Sequence, residues 1–191
     1  MIQLRQPYLL FLGDAADQLA AKTADGIARW RPEWCVGQLR LANCNADTGL
    51  PDMTLEEGRQ AGAQTLIAGV ANRGGIISDT WRETLLQAVD LGYDIASGLH
   101  ARLGAMADLA ERAAQRAVQL ADVRYTDQTF AVGNGVKRTG KRLLTVGTDC
   151  SVGKMFTALS IEREMKARGL PCTFRASGQT GIFIAGEGVS V

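Results

Sequence analysis

Short apolar runs alternate with amphipathic stretches over the first two thirds of the chain. Tyr8-Leu9-Leu10-Phe11-Leu12 predicts a buried strand that ends at Gly13-Asp14. Residues 15–30 predict a helix with Leu19, Ala20, Thr23, Ile27 and Trp30 on its apolar side, broken by Arg31-Pro32-Glu33. A second strand is predicted over 34–39 and a polar loop over 42–53. Thr54 reads as an N-cap with Glu57 at capping-box spacing, and the helix it opens ends near Gly62. A third strand, 65–70, is apolar on both faces and runs into Ala71-Asn72-Arg73-Gly74-Gly75. Ser78 caps a helix that continues to about Asp90 and stops at Gly92. Residues 93–96 predict a fourth strand leading into Ser97-Gly98-Leu99-His100, residues 103–120 an alanine-rich helix, and residues 122–125 a fifth strand.

Strands that alternate with helices predict a parallel, three-layer, Rossmann-like α/β N-terminal domain over 1–125, with right-handed crossovers. Such sheets bind ligands outside the carboxyl ends of their strands. Gly13, Asp14, Asn72, Arg73, Gly74, Gly75, Ser97, Gly98 and His100 stand at those ends. The first of these loops has one glycine where the dinucleotide fingerprint needs three, so an NAD site does not follow from it. His100, the sole histidine, is a candidate general base or a plain loop residue. Arg73 is a candidate carboxylate or phosphate holder or a solvated turn arginine. Trp30, Trp34 and Trp81 are expected to pack rather than to stack on a base.

The chemistry concentrates further on. Residues 126–140 read as a linker that ends in the basic run Lys137-Arg138-Thr139-Gly140-Lys141-Arg142, either solvated or reaching a phosphate. Leu143, Leu144 and Val146 predict a short strand, followed by Gly147-Thr148-Asp149-Cys150-Ser151-Val152-Gly153-Lys154 and a helix over 155–168, stopped by Gly169 and Pro171. A loop of this kind turns backbone N–H groups toward a phosphate at a helix N-terminus, and the lysine adds a point charge. Two departures mark it. Gly147 lies one residue further from Gly153 than G-x-x-x-x-G-K-[ST] requires, and Met155 replaces the hydroxyl residue that would hold Mg²⁺. A thioether is a poor ligand for a hard cation. The bland alternative is a βα turn with glycines for close packing. Cys150 is either a thiol activated by the helix N-terminus or a small side chain that fits the loop. Residues 172–176 predict one more strand, and Ile182-Phe183-Ile184-Ala185-Gly186 begins a further element. The segment 141–191 is expected to be the start of a P-loop NTPase-like α/β domain, incomplete because a Walker-B carboxylate strand has no room, and the chain a fragment.

Composition narrows the classes rather than choosing among them. A net charge of +1 gives no electrostatic footprint for nucleic acid, and no apolar span is long enough for a membrane helix. No signal-peptide layout opens the chain. The four cysteines lack CxxC spacing and read as reduced thiols, so a cytoplasmic protein without a metal site is expected. Its expected partners are a small-molecule substrate and further copies of itself, a homo-oligomer.

Several stretches together resemble a family. Gly147-Thr148-Asp149-Cys150-Ser151-Val152-Gly153-Lys154-Met155 resembles the dethiobiotin-synthetase type of phosphate loop. The stretches ending at Asp14, Trp34, Asn72 and His100, with Gly178-Gln179-Thr180-Gly181, resemble bacterial proteins formerly of unknown function. That group includes D-glutamate N-acetyltransferase, and many of its members carry an NAD-dependent epimerase/dehydratase label. The resemblance implies a Rossmann-like domain followed by a P-loop domain, and an N-acetyltransferase that moves an acetyl group from acetyl-CoA to an amino acid, D-glutamate first. It implies that residues 147–155 hold the pyrophosphate of coenzyme A. Asn72, Arg73, Arg175 and Gln179 then become candidates for substrate binding, and His100 and Asp14 for the base. Acetyl transfer needs no Mg²⁺, so Met155 costs it nothing. The alternatives are an ATP-dependent ligase or kinase of dethiobiotin-synthetase type, using Mg-ATP, and a nucleotide-binding module without catalysis.

Overall fold

The computed structural model describes residues 2–71, 76–126, 128–137, 139–149 and 152–190. They form two compact units, 1–125 with 176–191, and 126–175.

The first unit is built on a parallel sheet of five strands. In chain order these are β2 (Tyr8–Gly13), β3 (Cys35–Arg40), β4 (Thr65–Ala68), β5 (Asp94–Ser97) and β6 (Leu120–Asp122); across the sheet the order is β3-β2-β4-β5-β6. All four neighbour pairings are parallel. β2 is an inner strand, between β3 and β4, and is buried along its whole length, as its unbroken apolar run requires. The strand order reverses between β2 and β4, which makes the carboxyl ends of these two strands the switch point where such sheets open a crevice.

Helices fill both faces, and the pleat of β2 sorts them. Tyr8 packs edge-on to Trp34 on one face, while Phe11 packs edge-on to Trp81 on the other. The helices are α1 (Lys22–Trp30), α2 (Leu55–Gln60), α3 (Asp79–Asp90), α4 (Ala107–Arg116) and α6 (Gln179–Ala185). α2 carries the predicted capping box: the Thr54 hydroxyl accepts from the Glu57 N–H, and the Glu57 carboxylate accepts from the Thr54 N–H. The Ser78 hydroxyl caps α3 through the Trp81 N–H. Gly58 and Gly69 allow helices to touch the sheet. A Cβ on Gly58 would stand 2.8 Å from Leu9, and one on Gly69 would stand 2.5 Å from Ala24 of α1. A two-stranded antiparallel ribbon, β1 (Ile2–Gln3) with β7 (Glu187–Gly188), joins the first residues to the last described ones.

Several sequence expectations need correction here. The helix expected over 15–30 begins only at Lys22, because 14–21 is held in turns: Asp17 accepts from the Ala20 N–H, and the Ala20 carbonyl accepts from the Ala71 N–H. The helix expected over 103–120 is a 3₁₀ turn at Leu103–Ala105 followed by α4, which ends at Ala117 in the left-handed region so that β6 can form. Ile182, Phe183 and Ile184 belong to α6, and all three are fully buried. Residues 176–191 group by contacts with the first unit.

The second unit is organised by α5 (Lys154–Ala167). Leu159 is buried on it, and Glu162 accepts from Lys166 and from the Phe174 N–H. The strands expected at 143–146 and 172–176 are not formed. Leu144 and Val146 are 84% and 80% exposed, and a parallel strand cannot exist without a neighbour to take its ladder bonds. Among the described residues no helix is long and apolar enough to cross a membrane.

Candidate functional site

The carboxyl ends of β2, β4 and β5 carry the first group of candidates. Gly13 has φ +54°, a conformation that lets the chain turn sharply out of β2 and place Asp14 on the surface. The Asp14 carboxylate is not loose: it accepts a 2.8 Å hydrogen bond from Nε1 of the buried Trp81 indole. The ring also lies where a side chain on Gly13 would be, 2.7 Å from its ideal Cβ. His100 follows β5, is exposed, and makes no side-chain hydrogen bond among the described residues; its backbone carbonyl accepts from the Tyr125 hydroxyl at 2.5 Å. Asp14 and His100 leave strands two places apart in the sheet, roughly 10 Å at the usual strand spacing.

Gln179, the first residue of α6, sits over Gly98, with its Cβ 3.0 Å from where a side chain there would begin. Thr180 meets Thr23 of α1 hydroxyl to hydroxyl at 3.3 Å. The first unit therefore brings Asp14, His100 and Gln179 to the same end of one sheet. Asn72 and Arg73 lie outside the described residues.

Beside Asp14, the loop 41–53 is locked by Gln38, which is 1% exposed. Its amide donates to Asp47 and Asp52, and its carbonyl oxygen accepts from the N–H and hydroxyl of Thr48. Arg40 grips Asp52 with two nitrogens. The Gly49 N–H, then the Gln38 amide, hold the Asp47 carboxyl below its ordinary range, and Arg40 does the same for Asp52. A carboxylate with a depressed folded pKa stabilises the fold above its unfolded pKa and loses that contribution as pH falls through the folded one. Thermal melting is therefore expected to hold constant from about pH 7 to 5 and to drop below about pH 4. Asp47→Asn and Asp52→Asn together should flatten that drop; an unchanged profile would remove the loop as its source.

The second unit holds the phosphate loop. Residues 147–149 and 152–155 are described, whereas Cys150 and Ser151 lie outside the described residues. Gly153 has φ +95° and forms the N-cap of α5. Lys154 turns back over the loop, and its Nζ donates to the Asp149 carbonyl oxygen. A side chain on Gly147 would stand 2.7 Å from Val152 and 3.2 Å from the stem of Lys154, so the glycine is what lets the loop fold on itself. The Thr145 hydroxyl ties the entering chain to the Lys154 carbonyl at 3.0 Å. The free N–H groups at the start of α5, the helix dipole and Lys154 form a donor set suited to phosphate oxygens. Met155 offers no hard oxygen for Mg²⁺. Arg175 is exposed at the end of this unit. Of the thiols, Cys35, Cys44 and Cys172 are free, and burial pushes Cys35 up to about 12, which keeps it protonated.

Sequence reasoning missed three features of the sheet end. Trp81 was expected to pack and also orients Asp14. Arg102 and Tyr125 stack with the guanidinium carbon 4.0 Å from the ring centroid, and Arg124 Nε donates to the Gly98 carbonyl. The signal for the last was the predicted strand over 122–125, whose carboxyl end deserved the same reading as the others.

Comparisons with known proteins bear on both units. Residues 39–126 match a family model described as a domain of unknown function, DUF1611_N, a Rossmann-like domain. Residues 129–191 match the DUF1611_C P-loop domain. A protein of Tritonibacter scottomollicae named D-glutamate N-acetyltransferase is 57% identical over 186 residues, covering 97% of this chain and 56% of that protein. One of the same name from a Pseudoalteromonas species is 45% identical over 190 residues, covering 100% of this chain and 57% of that protein. The crystal structure of a DUF1611 family protein from Anabaena variabilis superposes with a TM-score of 0.76 at 29% identity, over 99% of this chain and 57% of that one. The chain thus spans a little over half the length of the curated relatives it matches.

Proposed function

This chain belongs to the DUF1611 family, and from that premise we propose that it serves the transfer of an acetyl group from acetyl-CoA to the amine of an amino acid, D-glutamate being the expected acceptor. The observation that carries the reading is the phosphate loop itself: Gly153 caps α5, Lys154 opens it, and Met155 stands where a nucleotide hydrolase needs a magnesium ligand. Coenzyme A has a pyrophosphate to be held and no phosphate bond to be cleaved, so a cradle without a metal ligand suits it.

In the reaction the free amine attacks the thioester carbonyl. A C–N bond forms, the C–S bond breaks, the coenzyme leaves as the thiol, and the amine proton passes to a base. His100, exposed just after β5, is one candidate for that last role. Asp14, fixed by the Trp81 indole, is the second candidate and equally suited to holding the acceptor's ammonium group. Gln179, beside Gly98, is placed to donate to the acceptor, and Asn72, Arg73 and Arg175 stay as substrate-binding candidates. A small-molecule acceptor, a homo-oligomeric state and a cytoplasmic location go with the reading.

Calorimetry of the protein carrying this sequence, with acetyl-CoA and separately with Mg-ATP, tests it. Acetyl-CoA is expected to bind, and Lys154→Ala to weaken it about tenfold or more, the effect of one charged hydrogen bond to phosphate. Tight Mg-ATP binding with none for acetyl-CoA would sink the acetyltransferase reading and favour a dethiobiotin-synthetase-like enzyme.

A further inference from the structure

The two ends of the first unit's sheet treat arginine differently. At the amino end of β5, Arg5 is committed to the buried Asp94 through two nitrogens. At the carboxyl end, Arg102 and Arg124 have no carboxylate partner among the described residues. The nearest acid in sequence, Asp122, is occupied with the N–H groups of Leu103 and Gly104.

Both side chains are nevertheless held. Arg124 is half-buried and spends only Nε, on the Gly98 carbonyl at 3.0 Å, which leaves its two terminal nitrogens as an open fork. Its own carbonyl accepts from the buried Ser190 hydroxyl at 2.8 Å, so the backbone beneath it is fixed as well. The Arg102 guanidinium sits over the Tyr125 ring, and the Tyr125 hydroxyl is anchored on the His100 carbonyl. Two cations are thus fastened to the 98–100 loop, at the end of the sheet where ligands bind, and the terminal nitrogens of Arg124 and the guanidinium N–H groups of Arg102 make no hydrogen bond among the described residues.

We propose that Arg124, supported by Arg102, binds the side-chain carboxylate of an acidic amino-acid acceptor. The fork geometry favours this ligand. Two parallel N–H groups match a planar carboxylate, whereas the pyrophosphate of a coenzyme is already served by the helix N-terminus and Lys154. The site rests on the acetyltransferase reading for the identity of its ligand, and it explains how an acceptor with a second carboxylate would be preferred over its neutral amide. A site built to pair a charge discriminates against the uncharged isostere, because its own donors would be left buried and unpaired.

Steady-state kinetics with D-glutamate and D-glutamine as acceptors tests the assignment. Arg124→Ala should raise KM for D-glutamate about 10- to 100-fold, with kcat held within about threefold and the D-glutamine parameters little changed. Arg102→Ala should act in the same direction, by less. An unchanged KM for D-glutamate in both variants, or equal rises for the two acceptors, overturns the proposal while leaving acetyl transfer standing. Arg124→Lys keeps the charge and the Ser190 contact but loses the fork. Should thermal melting show Arg124→Ala misfolded, a wild-type KM in Arg124→Lys overturns the proposal and a severalfold rise supports it. Calorimetry with glutarate and with inorganic phosphate reads the site without turnover. Glutarate binding that is lost in Arg124→Ala supports a carboxylate site even if the wild type acetylates no amino acid, which would count against the acetyltransferase reading alone. No glutarate binding, or an Arg124-dependent site for phosphate instead, overturns it.

Discussion

Replacing Trp81 with alanine is expected to cost about 4 kcal/mol of stability. The indole is 5% exposed, packs edge-on to Phe11 with centroids 5.7 Å apart, and fills the space beside Gly13. Its removal leaves a cavity against β2 that neighbours anchored in β2 and α3 cannot collapse to fill. The same ring holds the Asp14 carboxylate, so stability and the placement of that candidate residue are lost together. Trp81→Phe separates the two. It keeps part of the ring contact but loses the N–H donor and the volume of the second ring, so its loss should be nearer about 2 kcal/mol. Urea unfolding gives both values; a Trp81→Ala protein within about 1 kcal/mol of wild type would mean that the ring is not the wedge described.

Gly69→Val is expected to be the next most damaging change, at about 3 kcal/mol. Gly69 sits directly after β4, and its carbonyl accepts from the Ala24 N–H while its own N–H donates to the Phe11 carbonyl. A Cβ there would lie 2.5 Å from the Ala24 Cβ and 3.1 Å from its Cα. Backbone cannot step aside as a flexible side chain can, so α1 would have to lift from the sheet and break the Ala24 hydrogen bond. Guanidinium unfolding of Gly69→Ala and Gly69→Val should show a graded loss. Equal stability of the two would place the constraint in backbone freedom rather than in contact.

The sheet was legible because burial on both faces leaves a mark that survives in sequence. Tyr8-Leu9-Leu10-Phe11-Leu12, bounded by Pro7 and Gly13, carries the mark of a buried inner strand, and Thr54 with Glu57 announced a helix start through local chemistry alone. The segment 143–146 shows the limit of the same rule. It has the composition of a buried strand, but a strand is a property of a pair, and the second unit supplies no partner among its described residues. For α6 the difficulty was the reverse. Its apolar run is too short for periodicity to choose between helix and strand, and the choice is made by the groove beside Gly26, where Thr180 and Ile184 lie against α1. In the candidate site, glycines and a lone histidine were visible as residue types. The partners that aim them were not, because Trp81 lies 67 positions from Asp14 and Tyr125 lies 25 from His100.

The first unit takes residues from both sides of the 126–175 excursion, and that has a consequence for its synthesis. α6 supplies Ile182, Phe183 and Ile184 to the core, and β7 pairs with β1. A ribosome therefore delivers β1 to β6 and α1 to α4 before the piece that covers α1 and Gly98 exists. Until residue 190 has emerged, α1 and the turn at Gly98 lack the cover that α6 gives them. The excursion sets how long that interval lasts, since at roughly 5 to 20 residues per second its length alone means several seconds of waiting.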